Sequence, residues 1–129
     1  MTPLHAHHRT EDTQAVPIAS LKRMVIHDPE ARAFVDLCAD LDANGMMFPV
    51  FVHEVDWPNY LLWRRHHVCT EDLGDVTEWV RVLRMGNQRV QYAIARGYTH
   101  IDARIFRDKG RLNEAHQEMR AWWNTNRSK

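Results

Sequence analysis

A strand pattern that runs directly into a glycine and then into a helical pattern constrains the fold of this chain more than any other feature. Over residues 79–85 (WVRVLRM), valines alternate with other side chains, which is typical of a strand. Gly86 follows at once, and the spacing of apolar residues over 90–94 predicts a helix that ends at Gly97. Because a strand and a helix joined by so short a turn pack against each other, this unit predicts a domain that combines a sheet with helices.

The remaining elements follow from the same two periodicities. Asp28-Pro29 is typical of a helix start, since the aspartate can accept hydrogen bonds from free amides and a proline there loses none. Asn44-Gly45 predicts the end of that helix. We also expect an edge strand over 16–21, strands over 48–55 and 101–105, and a C-terminal helix over 111–126. The order predicts an α+β fold in which helices pack on a small mixed β-sheet.

The domain organisation is expected to be simple. A length of 129 residues corresponds to one domain. Residues 1–14 are polar and lack periodicity, so we expect a flexible N-terminal tail. Residues 15–129 are expected to form a single domain that carries an atypical insertion over 56–78.

Composition and cysteine content argue against several classes of protein. No apolar run approaches 18 residues, so we expect no transmembrane helix and no membrane partner. The polar N-terminus does not resemble a signal peptide. The two cysteines, Cys38 and Cys69, form neither a disulfide framework nor a CxxC metal motif. A reducing, cytoplasmic location is therefore expected.

The net charge is zero, but the charges are unevenly distributed. Residues 1–78 contain six basic and thirteen acidic side chains, a net charge of −7. Residues 79–129 contain eleven basic and four acidic side chains, a net charge of +7. Either the basic half faces a polyanion such as DNA or RNA, or the two halves interleave in the fold and neutralise each other.

The turn that follows residues 79–85 has the features of an anion-binding site. Gly86 permits a tight turn and the close approach of a ligand to the main chain. Asn87 is expected to cap the helix, whose first amides, including that of Gln88, point outward. Arg89 can direct its guanidinium at phosphate oxygens, and the helix dipole adds partial positive charge. The alternative is an ordinary strand-to-helix turn with a solvated arginine.

Two blocks of the sequence resemble a known family. Residues 85–106 (MGNQRVQYAIARGYTHIDARIF) look like the signature of the ParB/sulfiredoxin superfamily, in which a strand leads to G-x-x-R and then to an alanine-rich helix. Upstream, Asp28-Pro29 and residues 44–52 resemble the family block N-P…N-G-x-x-x-P-[IV]-x-V, and residues 16–21 resemble its opening V-x-I-x-x-L. The resemblance covers about residues 16–107. It implies a stand-alone ParB N-terminal-like domain of phage or plasmid type, located in the host cytoplasm.

The resemblance implies a nucleotide site. ParB proteins grip the triphosphate of CTP with G-E-R-R, which Gly86 and Arg89 match, whereas Asn87 and Gln88 replace the acidic and the basic member. ATP or CTP with Mg²⁺ is the implied ligand of these four residues, and metal-assisted phosphoryl transfer or nucleotide hydrolysis is the implied reaction. Sulfiredoxins carry G-C-H-R, and Asn87 stands at the position of their catalytic cysteine, so sulfiredoxin chemistry is not expected.

Three further residues are candidate acids or bases for such a reaction. Glu30 lies in the first turn of the predicted first helix, and Asp36 lies further along it. The alternative role for both carboxylates is helix capping or solvation. His53 on the predicted strand over 48–55 could transfer a proton, and its alternative role is that of a hydrogen-bonded structural histidine. The sequence does not identify a metal ligand set.

A different class of function is a non-enzymatic module that binds nucleic acid or a protein. Trp63 could stack on a base while Arg64 and Arg65 contact phosphates. The same side chains could instead cover the core or form the contact of a homodimer.

Overall fold

The computed structural model describes residues 2–23, 26–56 and 79–126. Within these ranges it contains six strands, three α-helices and a short 3₁₀ turn at Ile18–Ser20. The strands are β1 (Pro3–Leu4), β2 (Thr13–Pro17), β3 (Leu21–Lys22), β4 (Val50–Asp56), β5 (Trp79–Met85) and β6 (His100–Phe106). The helices are α1 (Arg32–Asn44), α2 (Asn87–Ala95) and α3 (Lys109–Asn126).

The strands form one mixed sheet in the order β1-β6-β4-β5-β3, with β2 also paired to β6. β4 pairs antiparallel with β5 and parallel with β6, which places Val52 opposite Leu83 on one side and Ile105 on the other. β2 runs antiparallel to β6, whereas β1 runs parallel to it. The α+β class and the mixed sheet predicted from the sequence are confirmed.

The alternation of side chains along β4 divides the core between the two faces of the sheet. Val50 and Val52 are fully buried in the larger cluster, together with Phe34 of α1 and Val90 of α2. Phe51 points the other way and packs with residues of β6 and α3 in the smaller cluster, which consists of Phe51, Phe106, Leu112 and Ala115. Helices α1 and α2 therefore cover one face of the sheet, and α3 covers the other.

The first helix begins later than the sequence predicts. Asp28 does not cap α1: its carboxylate accepts the amide of Glu30 at 2.9 Å, and its carbonyl accepts the amide of Ala31 at 3.1 Å. These two bonds close a turn of their own, and α1 starts at Arg32. The predicted end is confirmed, since Gly45 has a φ of +76° and its amide bonds to the Leu41 carbonyl.

The N-terminal residues differ from the expected tail, because they lie within the sheet. β1 pairs with the start of β6, and Ala6 forms a bridge with Met46. Leu4 and Ala6 are buried. The carboxylate of Asp102, which is fully buried in β6, accepts the amide of Ala6 at 2.9 Å and the Nε of Arg9 at 2.9 Å. Residues 3–9 are therefore anchored to the sheet, and Leu4 and Ala6 belong to the core.

The acidic and basic halves of the sequence interleave. Five ion pairs each join a group from residues 1–78 to a group from residues 79–129. They are Arg9–Asp102, Asp12–Arg104, Asp42–Arg96, Glu54–Arg81 and Glu54–Arg107. Among the described residues, four arginines of the basic half are thus paired with carboxylates of the acidic half. None of the helices in the described part of the chain has the length and hydropathy needed to span a bilayer.

Candidate functional site at the start of the second helix

The turn between β5 and α2 depends on a glycine for two physical reasons. Gly86 has φ +112° and ψ 25°, a left-handed conformation that residues with a Cβ rarely adopt. A Cβ at Gly86 would also lie 2.5 Å from Cγ1 of Val50, which is fully buried in β4. The chain turns so tightly here that Gly86 itself is the N-cap. Asn87 is therefore the first residue of α2, and the prediction that its side chain caps the helix is wrong.

The start of α2 directs main-chain amides away from the helix. The first hydrogen bond along the helix runs from the amide of Val90 to the carbonyl of Gly86, at 2.9 Å. The amides of Gln88 and Arg89 precede that bond, so the helix does not satisfy them. Because α2 is nine residues long, its dipole adds partial positive charge at the same place. This end of the helix suits a compact anion.

The guanidinium of Arg89 is partly buried and is held by main-chain oxygens. Its Nη1 donates to the carbonyl of Phe48 at 2.6 Å and more weakly to that of Pro49 at 3.5 Å. No carboxylate of the described residues forms an ion pair with it. Burial lowers the pKa of Arg89 to about 10, so the side chain remains charged at neutral pH. A buried charge without an opposite charge is costly, and an anion would offset that cost.

A cavity of about 360 Å³ opens over this turn. Residues 85–89 form one wall, and His27, Leu37 and Met119 form the rest. His27 is fixed from α2, because the side-chain amide of Gln91 accepts the His27 amide and donates to the His27 carbonyl, both at 2.7 Å. Its ring is stacked with that of Phe34, 6.4 Å away. The sequence analysis did not predict His27 as a site residue. The feature that could have indicated it is its position immediately before Asp28-Pro29.

A second cavity, of about 630 Å³, lies between α1 and α3. Leu37, Arg89 and Met119 line both cavities, so the two meet at Arg89. The walls of the larger cavity are mostly apolar, with Leu41, Met47, Phe48 and Trp123 among them, and Asp40 and Arg120 add charge. Its volume lies within the usual range for small-molecule sites.

The three candidate acids and bases do not line either cavity. Glu30 is exposed in the turn before α1, and Asp36 is exposed on α1 near Arg32. His53 is half-buried on β4, where its Nε2 donates to the carbonyl of Arg107 at 3.2 Å. Burial lowers the pKa of His53, which favours the neutral ring expected of a structural histidine.

The fold brings the four candidate residues of the turn together at one cavity. Gly86, Asn87, Gln88 and Arg89 all line the 360 Å³ cavity. The candidate residues for nucleic-acid binding lie in a different part of the sequence. Trp63, Arg64, Arg65 and the rest of the expected insertion over 56–78, apart from Asp56, lie outside the described residues.

The described residues contain no cluster of three or more side chains suited to hold a metal ion. The 360 Å³ cavity has no carboxylate in its lining, and Asp40 lies in the neighbouring cavity. The donor set therefore fits Mg²⁺ only as an ion whose ligands come chiefly from the phosphates of a bound nucleotide.

Comparison with known proteins adds no assignment. No family model matches the chain, and no curated protein sequence matches it significantly.

Proposed function

We propose that this protein contains a domain of the ParB/sulfiredoxin type that binds a nucleotide or another phosphorylated ligand. The phosphates would lie against Gly86, Asn87, Gln88 and Arg89. One observation carries the proposal: a partly buried guanidinium without an acid partner in the described chain lies beside the turn whose amides begin α2. The resemblance of residues 16–107 to that superfamily supports the same assignment.

The preference for an anion comes from Arg89. Its present partners are neutral carbonyls, whereas a phosphate would add an opposite charge to the hydrogen bond. A phosphate that accepts from the guanidinium and from the amides of Gln88 and Arg89 would gain several such bonds in one place. Charge complementarity thus favours an anion over a neutral ligand.

The neighbouring cavity favours a nucleotide over inorganic phosphate. It begins at Arg89 and is lined by Phe48, Met47 and Trp123, which suit the flat, apolar faces of a base. A ligand with a charged end and a planar body would fill both cavities. ATP or CTP with Mg²⁺ meets this description.

The proposal concerns binding and not a catalysed reaction. Phosphoryl transfer needs a group that orients or deprotonates the attacking oxygen, and Glu30, Asp36 and His53 lie outside both cavities. His27 is the one imidazole in their lining, so it is the first residue to examine if hydrolysis is observed.

The experiment is isothermal titration of the full chain with ATP, ADP, CTP and GTP, each with and without Mg²⁺. We expect saturable heat for at least one nucleotide in the wild type and none for Arg89→Ala. Arg111→Ala is the matched control, because Arg111 is exposed on α3, lines neither cavity and pairs with Glu114 of the same helix. Equal binding by wild type and Arg89→Ala, or no heat from any nucleotide, would remove the proposal.

The same variants separate this function from nucleic-acid binding. Binding of an oligonucleotide through many phosphates weakens steeply with added salt, and loss of any one exposed arginine reduces it. A site-bound nucleotide depends on Arg89 and not on Arg111. A gel shift of DNA or RNA with equal losses in both variants would favour the alternative function.

A further inference from the structure

The position of Arg89 is set by a loop that the N-terminal segment holds in place. Phe48, whose carbonyl accepts the guanidinium at 2.6 Å, lies between α1 and β4. Its ring is contacted by three other rings, which together with it form what we term the Phe48 cluster. The cluster consists of His8, Phe48, Trp122 and Trp123.

His8 is the member of this cluster contributed by the N-terminal segment. Its ring is stacked on that of Phe48, with centroids 5.2 Å apart and planes 23° apart. It also contacts Trp122 of α3, 4.6 Å away. His8 is thus placed between the loop that holds Arg89 and the helix that forms part of the cavity wall.

The main chain fixes His8 independently of its ring. The amides of His7 and His8 donate to the carbonyls of Met46 and Met47, both at 2.9 Å. The buried Asp102 holds the same segment from β6. Two anchors thus set the position of the His8 ring, which is itself exposed.

We propose that His8 is a positioning residue for the phosphate site: its ring holds Phe48, and the Phe48 carbonyl orients Arg89 toward the ligand. This inference rests on the proposed function of the turn. It assigns a role in ligand binding to the N-terminal segment, whose residues line neither cavity. It predicts that ligand affinity depends on an aromatic ring at residue 8.

The test measures ATP affinity by calorimetry for the full chain and for variants of residue 8. We expect His8→Ala and His8→Gln to bind about fivefold more weakly, because each removes the stacked ring. His8→Phe should bind as the wild type does, because it restores the ring. Glu11→Ala, an exposed change in the same segment, should have no effect. Thermal unfolding of each variant establishes that it is folded at the temperature of the titration.

A double-mutant cycle asks whether His8 acts through Arg89. Adding His8→Ala to Arg89→Lys should weaken binding less than twofold further, because the guanidinium that Phe48 orients is already absent. Wild-type affinity in folded His8→Ala, or equal losses in His8→Ala and His8→Phe, would overturn the positioning role. If that happens while Arg89→Ala does lose ATP binding, the nucleotide site at the turn stands and only the positioning role of His8 is removed. A wild type that binds no ATP removes both proposals.

Discussion

Arg89 and Phe48 are joined by a hydrogen bond of 2.6 Å from the guanidinium Nη1 to a main-chain carbonyl. Across residues 2–23, 26–56 and 79–126, no acid forms an ion pair with this partly buried cation. Several other arginines do have carboxylate partners, for example Arg104 with Asp12 and Arg96 with Asp42. Arg89 is oriented without being neutralised, which is the state expected of a residue that receives an anion.

Replacement of Arg89 by lysine is expected to weaken nucleotide binding about tenfold or more. Lysine keeps the positive charge but lacks the planar fork that can bond Phe48 and a phosphate at once. Calorimetry with ATP measures the change, and chemical denaturation establishes that the variant is folded. Unchanged affinity would mean that charge alone, without the fork geometry, is sufficient.

Gly86→Ala is expected to destabilise the fold by about 3 kcal/mol, because the left-handed conformation is strained for alanine and the new Cβ overlaps Val50. Gly97→Ala is the control, since Gly97 also has a positive φ (+82°) but nothing lies within 4 Å of its Cβ position. We expect it to cost about 1 kcal/mol. Urea denaturation of both variants gives the two values. Equal costs would show that the contact with Val50 is relieved by a shift of the turn.

Asp102→Asn is expected to lower the free energy of unfolding by about 3 kcal/mol. The change removes the charge that holds Arg9 and weakens the bond to the Ala6 amide at a fully buried position. Asp12→Asn is the control, because its pair with Arg104 is half-exposed and should contribute less than about 1 kcal/mol. The comparison is made by denaturant unfolding at neutral pH. A small effect of Asp102→Asn would contradict the role of this carboxylate as an anchor of residues 3–9.

Stability is expected to fall as the pH is lowered from about 7.5 toward 5.5. Burial lowers the pKa of His53 and of His116 below the ordinary value of about 6.5, so the unfolded chain takes up protons before the folded one does. The neutral rings therefore make their full contribution to the free energy of unfolding above the pKa of the unfolded chain. This contribution is lost as the pH falls from that pKa toward the lower pKa of the folded protein. Urea denaturation across this range measures the slope, and His53→Gln should reduce it. A free energy of unfolding that rises on acidification would contradict the assignment.

The sequence predicted the elements whose periodicity is strong. Local patterns predicted the strand over 79–85, the glycine turn after it and the two helices that follow. The structure has β5, α2 and α3 at these places. The N-terminal segment could not be predicted in the same way. Residues 3–9 have no clear hydrophobic periodicity, and they are held by a parallel strand and by Asp102, both about a hundred residues away in the chain.

The candidate site was predicted only in part, for the same reason. Gly86 and Arg89 belong to one local motif, so their sequence spacing was informative. The bonds from Arg89 to Phe48 and from Gln91 to His27 join segments 41 and 64 residues apart. Such contacts depend on how α1 packs against α2, and the hydrophobic periodicity of the sequence does not predict that packing. Glu30 and Asp36 were chosen for their chemistry, but the turn before α1 exposes Glu30 and the helix exposes Asp36.

The most direct test of the central claim is a two-dimensional amide NMR titration of the protein with ATP. We expect saturable shifts at the amides of Gly86, Asn87, Gln88 and Arg89, with the same affinity as calorimetry gives, and we expect them to be lost in Arg89→Ala. Saturable shifts elsewhere in the protein, with the amides of this turn unmoved, would contradict the account.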